Sequence, residues 1–243
     1  MAGNFYALLV GIDTYSARGP QPPLRGCVAD VSAMRQFLLT ALGVPEAHVL
    51  LLTNQAATRA AIIDGWQTHL RDHAQPGDLV FFHYSGHGSQ SASDDPDEPD
   101  RLTESLVAYD SRDEEAFDLL DKELKELIQA VEGRGAQVVL LMDCCHSGHI
   151  TRTLDEQRPL ARQCPPDQRA RPAASLLGNS EATSPASGVQ TGHILLAACR
   201  DEQLANEYRP PELPIWRGAL TYFFLRLCQR RGPATTWADL YDQ

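Results

Sequence analysis

Four runs of the chain are apolar at almost every position, and this pattern constrains the fold more than any other feature. They cover residues 5–12 (FYALLVGI), 78–84 (DLVFFHY), 137–142 (QVVLLM) and 193–198 (HILLAA). A strand with one wet face alternates apolar and polar side chains, so a run that is apolar throughout reads as a strand covered on both sides. Between these runs lie stretches with helical spacing. Residues 30–42 carry Val31, Met34, Phe37, Leu38 and Leu42 on one face. Thr58 can cap a helix to about residue 73 with Ile62, Ile63, Trp66 and Leu70 inward. Residues 121–132 place Leu124, Leu127, Ile128 and Val131 together, and residues 218–229 form a further helix. Shorter strands are expected at 49–53 and 105–109. Strand–helix alternation with doubly buried strands predicts an α/β fold: a mainly parallel central sheet with helices on both faces, an α/β/α sandwich.

The 243 residues, 43% of them hydrophobic, suffice for the core of one sizeable domain. No apolar run approaches the roughly 18 residues of a membrane span. Residues 1–10 lack the basic start and small-residue cleavage site of a signal peptide. Six cysteines without a secretory signal read as free thiols in a reducing compartment, the cytoplasm. The net charge of −11, from 21 Lys+Arg against 32 Asp+Glu, repels nucleic-acid phosphates and anionic membranes and disfavours both as partners. Ten of the 32 acidic residues fall between Asp94 and Glu115, a solvated acidic loop or a place for a cation or basic peptide.

Residues 151–191 break the pattern. Pro, Ser, Ala, Gln and Arg dominate, and the stretch reads as an exposed, flexible tether carrying Arg152, Arg158, Arg162, Arg169 and Arg171. It separates a region at 1–150 from one at 192–243. The sequence stops at Gln243 inside a helical pattern, as a fragment of a longer protein would.

Reactive groups in open parallel sheets gather beyond the carboxyl ends of the strands. Two strong strands end in such sequences: His83-Tyr-Ser-Gly-His-Gly88 and Asp143-Cys-Cys-His-Ser-Gly148. If these strands are neighbours, a thiol and an imidazole meet, the pair that attacks a carbonyl and then protonates the leaving amine. The flanking glycines let backbone amides point at a developing oxyanion. A zinc site drawn from His83, His87, Cys144, Cys145, His146 and His149 competes with this reading, although its spacing fits no standard pattern. Local chemistry does not choose between Cys144 and Cys145.

Together with Tyr6-Ala-Leu-Leu-Val-Gly-Ile-Asp13 and Leu24-Arg-Gly-Cys-Val-Ala-Asp30, these two motifs resemble the metacaspase and orthocaspase branch of the caspase-like cysteine peptidases. Leu195-Leu-Ala-Ala-Cys-Arg-Asp-Glu-Gln203 and Gly218-Ala-Leu-Thr-Tyr222 resemble that family's small-subunit region. The resemblance implies one caspase-like domain with a large-subunit-like catalytic region at 1–150, an intersubunit linker at 151–191 and a small-subunit-like region at 192–243. It makes His87 the catalytic imidazole and Cys145, two residues after Asp143, the nucleophile. The amides of Gly88 and Cys145 would form the oxyanion hole, and Cys27, Asp30, Ser85 and Asp143 the primary specificity pocket. Taken alone, Asp30 reads as a helix N-cap and Asp143 as a strand-end carboxylate. Two carboxylates in a desolvated pocket call for a cation between them, and arginine's forked donors suit that place best.

The substrates implied are therefore proteins or peptides cut after Arg or Lys, by a monomer. Arg152, Arg158, Arg162, Arg169 and Arg171 become candidate self-cleavage sites. Many relatives need calcium, but here Lys122 follows Asp121 and no carboxylate follows Cys145 before Asp155. A hard cation wants six or more oxygen ligands, so no cofactor is expected. Asp97 and Asp100, beside Asp94 and Asp95, remain the calcium candidates together with Asp121. A catalytically silent caspase-like signalling or scaffold module is the alternative from another class, and a hydrolase of small amides would share the chemistry.

Overall fold

The computed structural model describes residues 3–16, 19, 21–92, 101–113, 116–145, 160–172, 177, 192–199 and 205–231. Strand β1 (Phe5–Gly11) leads through α1 (Cys27–Thr40) to β2 (Val49–Thr53). Helix α2 (Arg59–Asp64), continued by wider π-helical turns over Gly65–Arg71, leads to β3 (Leu79–Ser85). A small antiparallel sheet of β4 (Gly88–Ala92), β5 (Leu102–Leu106) and β6 (Leu119–Leu120) precedes α3 (Asp121–Glu132) and β7 (Gln137–Asp143). Strand β8 (Ile194–Ala197), the two-residue strands β9 (Glu207–Tyr208) and β10 (Arg217–Gly218), and α4 (Ala219–Arg231) complete the described elements.

The main sheet runs β2-β1-β3-β7-β8, and all its pairings are parallel. Successive side chains on a strand face opposite ways, and the two cores divide accordingly. Leu8, Val10, Phe82, Tyr84, Val138, Leu140 and Met142 pack with Ile62, Trp66 and Leu70 of the α2 region and Leu127, Ile128 and Val131 of α3. Ala7, Leu9, Phe81, Val139 and Leu141 face the other way, onto Val31, Met34 and Leu38 of α1 and Leu225 of α4. Both faces of β1, β3 and β7 are covered, as their uninterrupted apolar runs predict; β8 departs from that expectation, because as the last strand of the sheet it turns Ile194 and Leu196 towards the core and leaves Leu195 54% exposed. Trp66 and Phe82 are fully buried with ring centroids 5.0 Å apart; truncating either to alanine should cost about 3–5 kcal/mol. Among the described residues no helix is long and apolar enough to cross a membrane.

Three expectations need correction. Helix α1 starts at Cys27, with Gly26 as its N-cap residue, so Asp30 is no cap. Its first amides are satisfied from a distance: Cys27 N and Val28 N donate to Asp13, and Arg25 N and Gly26 N donate to Glu207. The strand expected at 105–109 lies instead at Leu102–Leu106, because Val107 and Tyr109 turn away to donate to the carbonyls of His87 and Ala57. The exposed tether is wrong for residues 160–172. Arg162, Gln163, Cys164 and Asp167 are buried there, held by backbone pairing that a strand-poor composition does not announce.

Candidate active site

The C-terminal ends of β1, β3 and β7 are in register, Gly11 beside Ser85 and Ser85 beside Asp143. The polar sequences that follow β3 and β7 therefore emerge side by side. Asp30, one turn along α1 from Cys27, reaches the same point: Ser85 Oγ donates to its Oδ2 at 2.9 Å.

Arg162 fills the space between the two aspartates. Its Nη2 donates to Asp30 Oδ2 at 2.8 Å, and its Nη1 lies 2.7 Å from Ser85 Oγ, 3.1 Å from the Asp143 carbonyl and 3.2 Å from Asp143 Oδ1. Asp30, Asp143 and Arg162 are all fully buried. A second cation, which the sequence reading missed, shares the cluster: Arg217 Nε donates to Asp30 Oδ1 at 2.7 Å. Gly218 N donates to Asp30 Oδ2 at 2.8 Å, while Thr221 donates to Asp143 Oδ2 from both its amide, at 2.8 Å, and its hydroxyl, at 2.7 Å. Two carboxylates and two guanidiniums make the occupied cluster neutral; without Arg162 it would carry one negative charge. Burial raises the Asp30 pKa, and the guanidiniums of Arg162 and Arg217 oppose that shift. Burial alone would lower the Arg162 pKa, but Cys27, Asp143 and Asp30 together hold it well above its ordinary value. Cys27, fully buried, borders the cluster, and burial pushes its thiol well up.

The Arg162 carbonyl oxygen accepts from Gly88 N at 3.0 Å and from Cys145 N at 3.1 Å. Backbone pairing fixes this position on both sides. Arg162 N donates to the Ala205 carbonyl, Glu207 N donates to the Leu160 carbonyl, and Ala161 bridges Asn206 in antiparallel fashion. Downstream, Gln163 and Asp167 bridge Gly88 and Ser91 in parallel, with Cys164 N donating to the Gly88 carbonyl. Further along, Arg169 donates to the carbonyls of Ser111, Asp113 and Ala116, and Arg171 pairs with Glu123. Both guanidiniums lie against the Phe117 ring. Residues 160–171 thus cross the site as an added strand, the pairing mode of β-augmentation.

Two tyrosines hold the backbone of His87. Its amide donates to Tyr15 Oη at 2.8 Å, and its carbonyl accepts from Tyr84 Oη at 2.7 Å. The imidazole Nε2 lies 2.8 Å from the Pro22 carbonyl. A carbonyl only accepts, so Nε2 bears the proton and Nδ1 carries the lone pair; among the described residues Nδ1 has no hydrogen-bond partner. Burial is the main cause that lowers the His87 pKa to about 4, so the ring is neutral near pH 7.

Cys145 is buried, its Sγ against Ala205 N and 3.3 Å from Cys199 Sγ. The Cys199 contact, followed by burial, raises its pKa strongly and keeps the thiol protonated in this arrangement. Cys144 faces the opposite way, into the α2–α3 core.

Other expected residues sit elsewhere. Asp97, Asp100, Asp94, Asp95, Arg152, Arg158, His146 and His149 lie outside the described residues. Asp121 opens α3, where its Oδ1 accepts from Thr103 Oγ1 and from Lys122 N. Asp121 is the one calcium candidate that is described, and among the described residues it belongs to no cluster close enough to hold an ion. His83 bonds Thr221 Oγ1 at 3.0 Å, and burial lowers its pKa to about 3; among the described residues it belongs to no cluster close enough to hold a metal ion. Among the described residues one group, Asp13, Cys27 and Glu207, is close enough to hold an ion, but its carboxylates already serve the α1 amides.

A model of the metacaspase, peptidase C14 domain matches residues 6–154. The chain belongs to the metacaspase family. Metacaspase-1 of Schizosaccharomyces pombe is 34% identical over 152 residues, which are 60% of this chain and 34% of that protein. Metacaspase-2 of Arabidopsis thaliana is 27% identical over 256 residues, 99% of this chain and 55% of that protein. The chain therefore spans from about a third to just over half the length of these metacaspases. A crystal structure of a Geobacter sulfurreducens protein superposes with a TM-score of 0.63 at 24% identity, covering 94% of this chain and 83% of that one, and shares the fold.

Proposed function

We propose that this metacaspase is a cysteine endopeptidase that cuts proteins and peptides after arginine, and after lysine less well, and that its first substrate is its own Arg162–Gln163 bond. The observation that carries the reading is Arg162 itself. One residue offers its guanidinium to Asp30 and Asp143 and its carbonyl oxygen to the amides of Gly88 and Cys145. A substrate arginine would make the same contacts. Lysine supplies the charge but not the fork that reaches Ser85, Asp30 and the Asp143 carbonyl together.

His87 Nδ1 is the base in this mechanism. It takes the Cys145 proton, and the sulfur attacks the carbonyl carbon of the arginine. The oxygen becomes an oxyanion on the Gly88 and Cys145 amides. His87 passes its proton to the leaving nitrogen, Gln163 in the first turnover, and then activates the water that releases the arginine carboxylate. Pro22, Tyr15 and Tyr84 keep the ring in the productive tautomer and place.

Calcium enters no step. The calcium-free reading is supported by Lys122 beside Asp121 and by the partners that already occupy the Asp121 carboxylate. A monomer is the state that the metacaspase resemblance implies. Six cysteines, read as thiols rather than a disulfide framework, suit the reducing cytoplasm.

The test is turnover of fluorogenic peptides ending in Arg, Lys or Asp, with a calcium chelator present. The reading expects Arg above Lys, nothing for Asp, and nothing from Cys145→Ala. Absence of all turnover with and without calcium would instead favour a silent caspase-like module.

A further inference from the structure

The mechanism leaves one close contact at the site without a task. Cys199 follows β8 by two residues, and Cys145 follows β7 by two. These strands are paired neighbours with Met142 beside Ala197, and Ala198 N donates to the Met142 carbonyl at 3.0 Å. Paired strands lie about 4.8 Å apart, within the Cα separation that a disulfide bridges. The two sulfurs are 3.3 Å apart; closing to the bonded distance of about 2.05 Å needs only small side-chain rotations. Exposure separates the partners: of the six thiols Cys199 alone is half-buried, and the other five are buried.

We propose that Cys145 and Cys199 form a thiol–disulfide pair, oxidised by hydrogen peroxide, that shuts and reopens the site. Cys199 is the entry point. Its thiolate attacks one peroxide oxygen, the O–O bond breaks, and hydroxide leaves and is protonated to water. The Cys145 sulfur then attacks the resulting sulfenic sulfur. The S–O bond breaks, and the second oxygen leaves as water with the Cys145 proton. Two thiols and one peroxide become one disulfide and two waters, the sulfurs oxidised and the peroxide reduced. A dithiol reverses the change by exchange. The disulfide consumes the sulfur that attacks the substrate carbonyl, so the oxidised form is inactive; this consequence rests on the peptidase reading, whereas the cross-link does not.

The experiment treats the full chain with hydrogen peroxide and maps its peptides without reduction. The expected product is one link between the peptides carrying Cys145 and Cys199, retained in Cys144→Ala and cleared by dithiothreitol. In parallel, wild-type turnover of an arginyl peptide is lost on treatment and returns with dithiothreitol. Cys199→Ser still turns over in reductant, and whatever rate it has there it keeps at the peroxide dose that silences wild type. No link, a link that disappears in Cys144→Ala, or a Cys199→Ser chain inactivated as fast as wild type would each overturn the proposal. A chain that forms the link but shows no turnover in reductant would refute the peptidase reading and leave the pair standing.

Discussion

Replacing Asp143 by asparagine keeps the shape of the pocket floor and changes its charge. Asp143 Oδ2 accepts from the Thr221 amide and hydroxyl, and an asparagine oxygen can keep both bonds. The other position, facing Arg162 Nη1 at 3.2 Å, would then present an amide to a guanidinium, donor against donor. The empty pocket would pass from one negative charge to none. Truncating one side of a buried, hydrogen-bonded charge pair costs about 2–5 kcal/mol. With Arg217 still paired to Asp30, the lower half of that range applies, about 3 kcal/mol or roughly 10²-fold in affinity. The assay compares peptides ending in arginine with peptides ending in citrulline, its neutral isostere. It is run on Arg162→Ala and on Arg162→Ala with Asp143→Asn, so that the chain's own arginine does not compete. Turnover of the arginine peptide should fall roughly 10²-fold, and that of citrulline should barely change. An equal fall for both would mean that Asp143 supports the fold rather than reads charge, and no fall would refute the pocket.

Three further outcomes follow from the same geometry. A methyl added at Gly218 would overlap both the Asp143 carboxylate and the Arg162 guanidinium, so Gly218→Ala should fold, by circular dichroism, yet lose binding of arginyl peptides. Thr221→Val removes the hydroxyl shared by Asp143 and His83 and should lower stability by about 1–3 kcal/mol in denaturant melts. The His87 and His83 rings should stay neutral, by NMR titration, down to about pH 4 and about pH 3. Their folded pKa values lie below the ordinary 6.5, so the unfolded chain takes up protons first as pH falls below about 6.5. Each ring therefore subtracts stability on acidification towards its folded pKa, and His83→Gln should flatten that slope in thermal melts run on Cys145→Ala.

Much of the architecture is legible because it is local. The four apolar runs are sheet strands, and the alternation of Leu8 with Leu9 or Leu140 with Leu141 between two cores follows from β1 and β7 being covered on both faces, which the edge strand β8 is not. The family resemblance likewise singled out Asp30, Ser85, Asp143, Gly88 and Cys145, which converge on one arginine. What stayed hidden depends on pairing across long stretches of chain. Nothing in Leu-Ala-Arg-Gln-Cys announces a strand, because its order comes from the 205–207 and Gly88–Ser91 backbones rather than from its own side chains. Strand β4, Gly-Ser-Gln-Ser-Ala, is small and polar for the same reason. Arg217 and Thr221 belong to the later motif Gly218-Ala-Leu-Thr-Tyr222 and its margin, but only the fold brings them to Asp30 and Asp143. Cys199 lay inside a recognised motif and had no visible partner until β8 paired with β7.

The central claim is that the chain presents its own Arg162 to its own nucleophile, and fragment masses with N-terminal sequencing test it most directly. Wild type incubated in reductant and chelator should yield a new N-terminus at Gln163, while Cys145→Ala and Arg162→Ala should leave that bond intact. A Gln163 N-terminus appearing equally in Cys145→Ala, or a wild-type chain that turns over arginyl peptides while the Arg162–Gln163 bond is never cut, would contradict it.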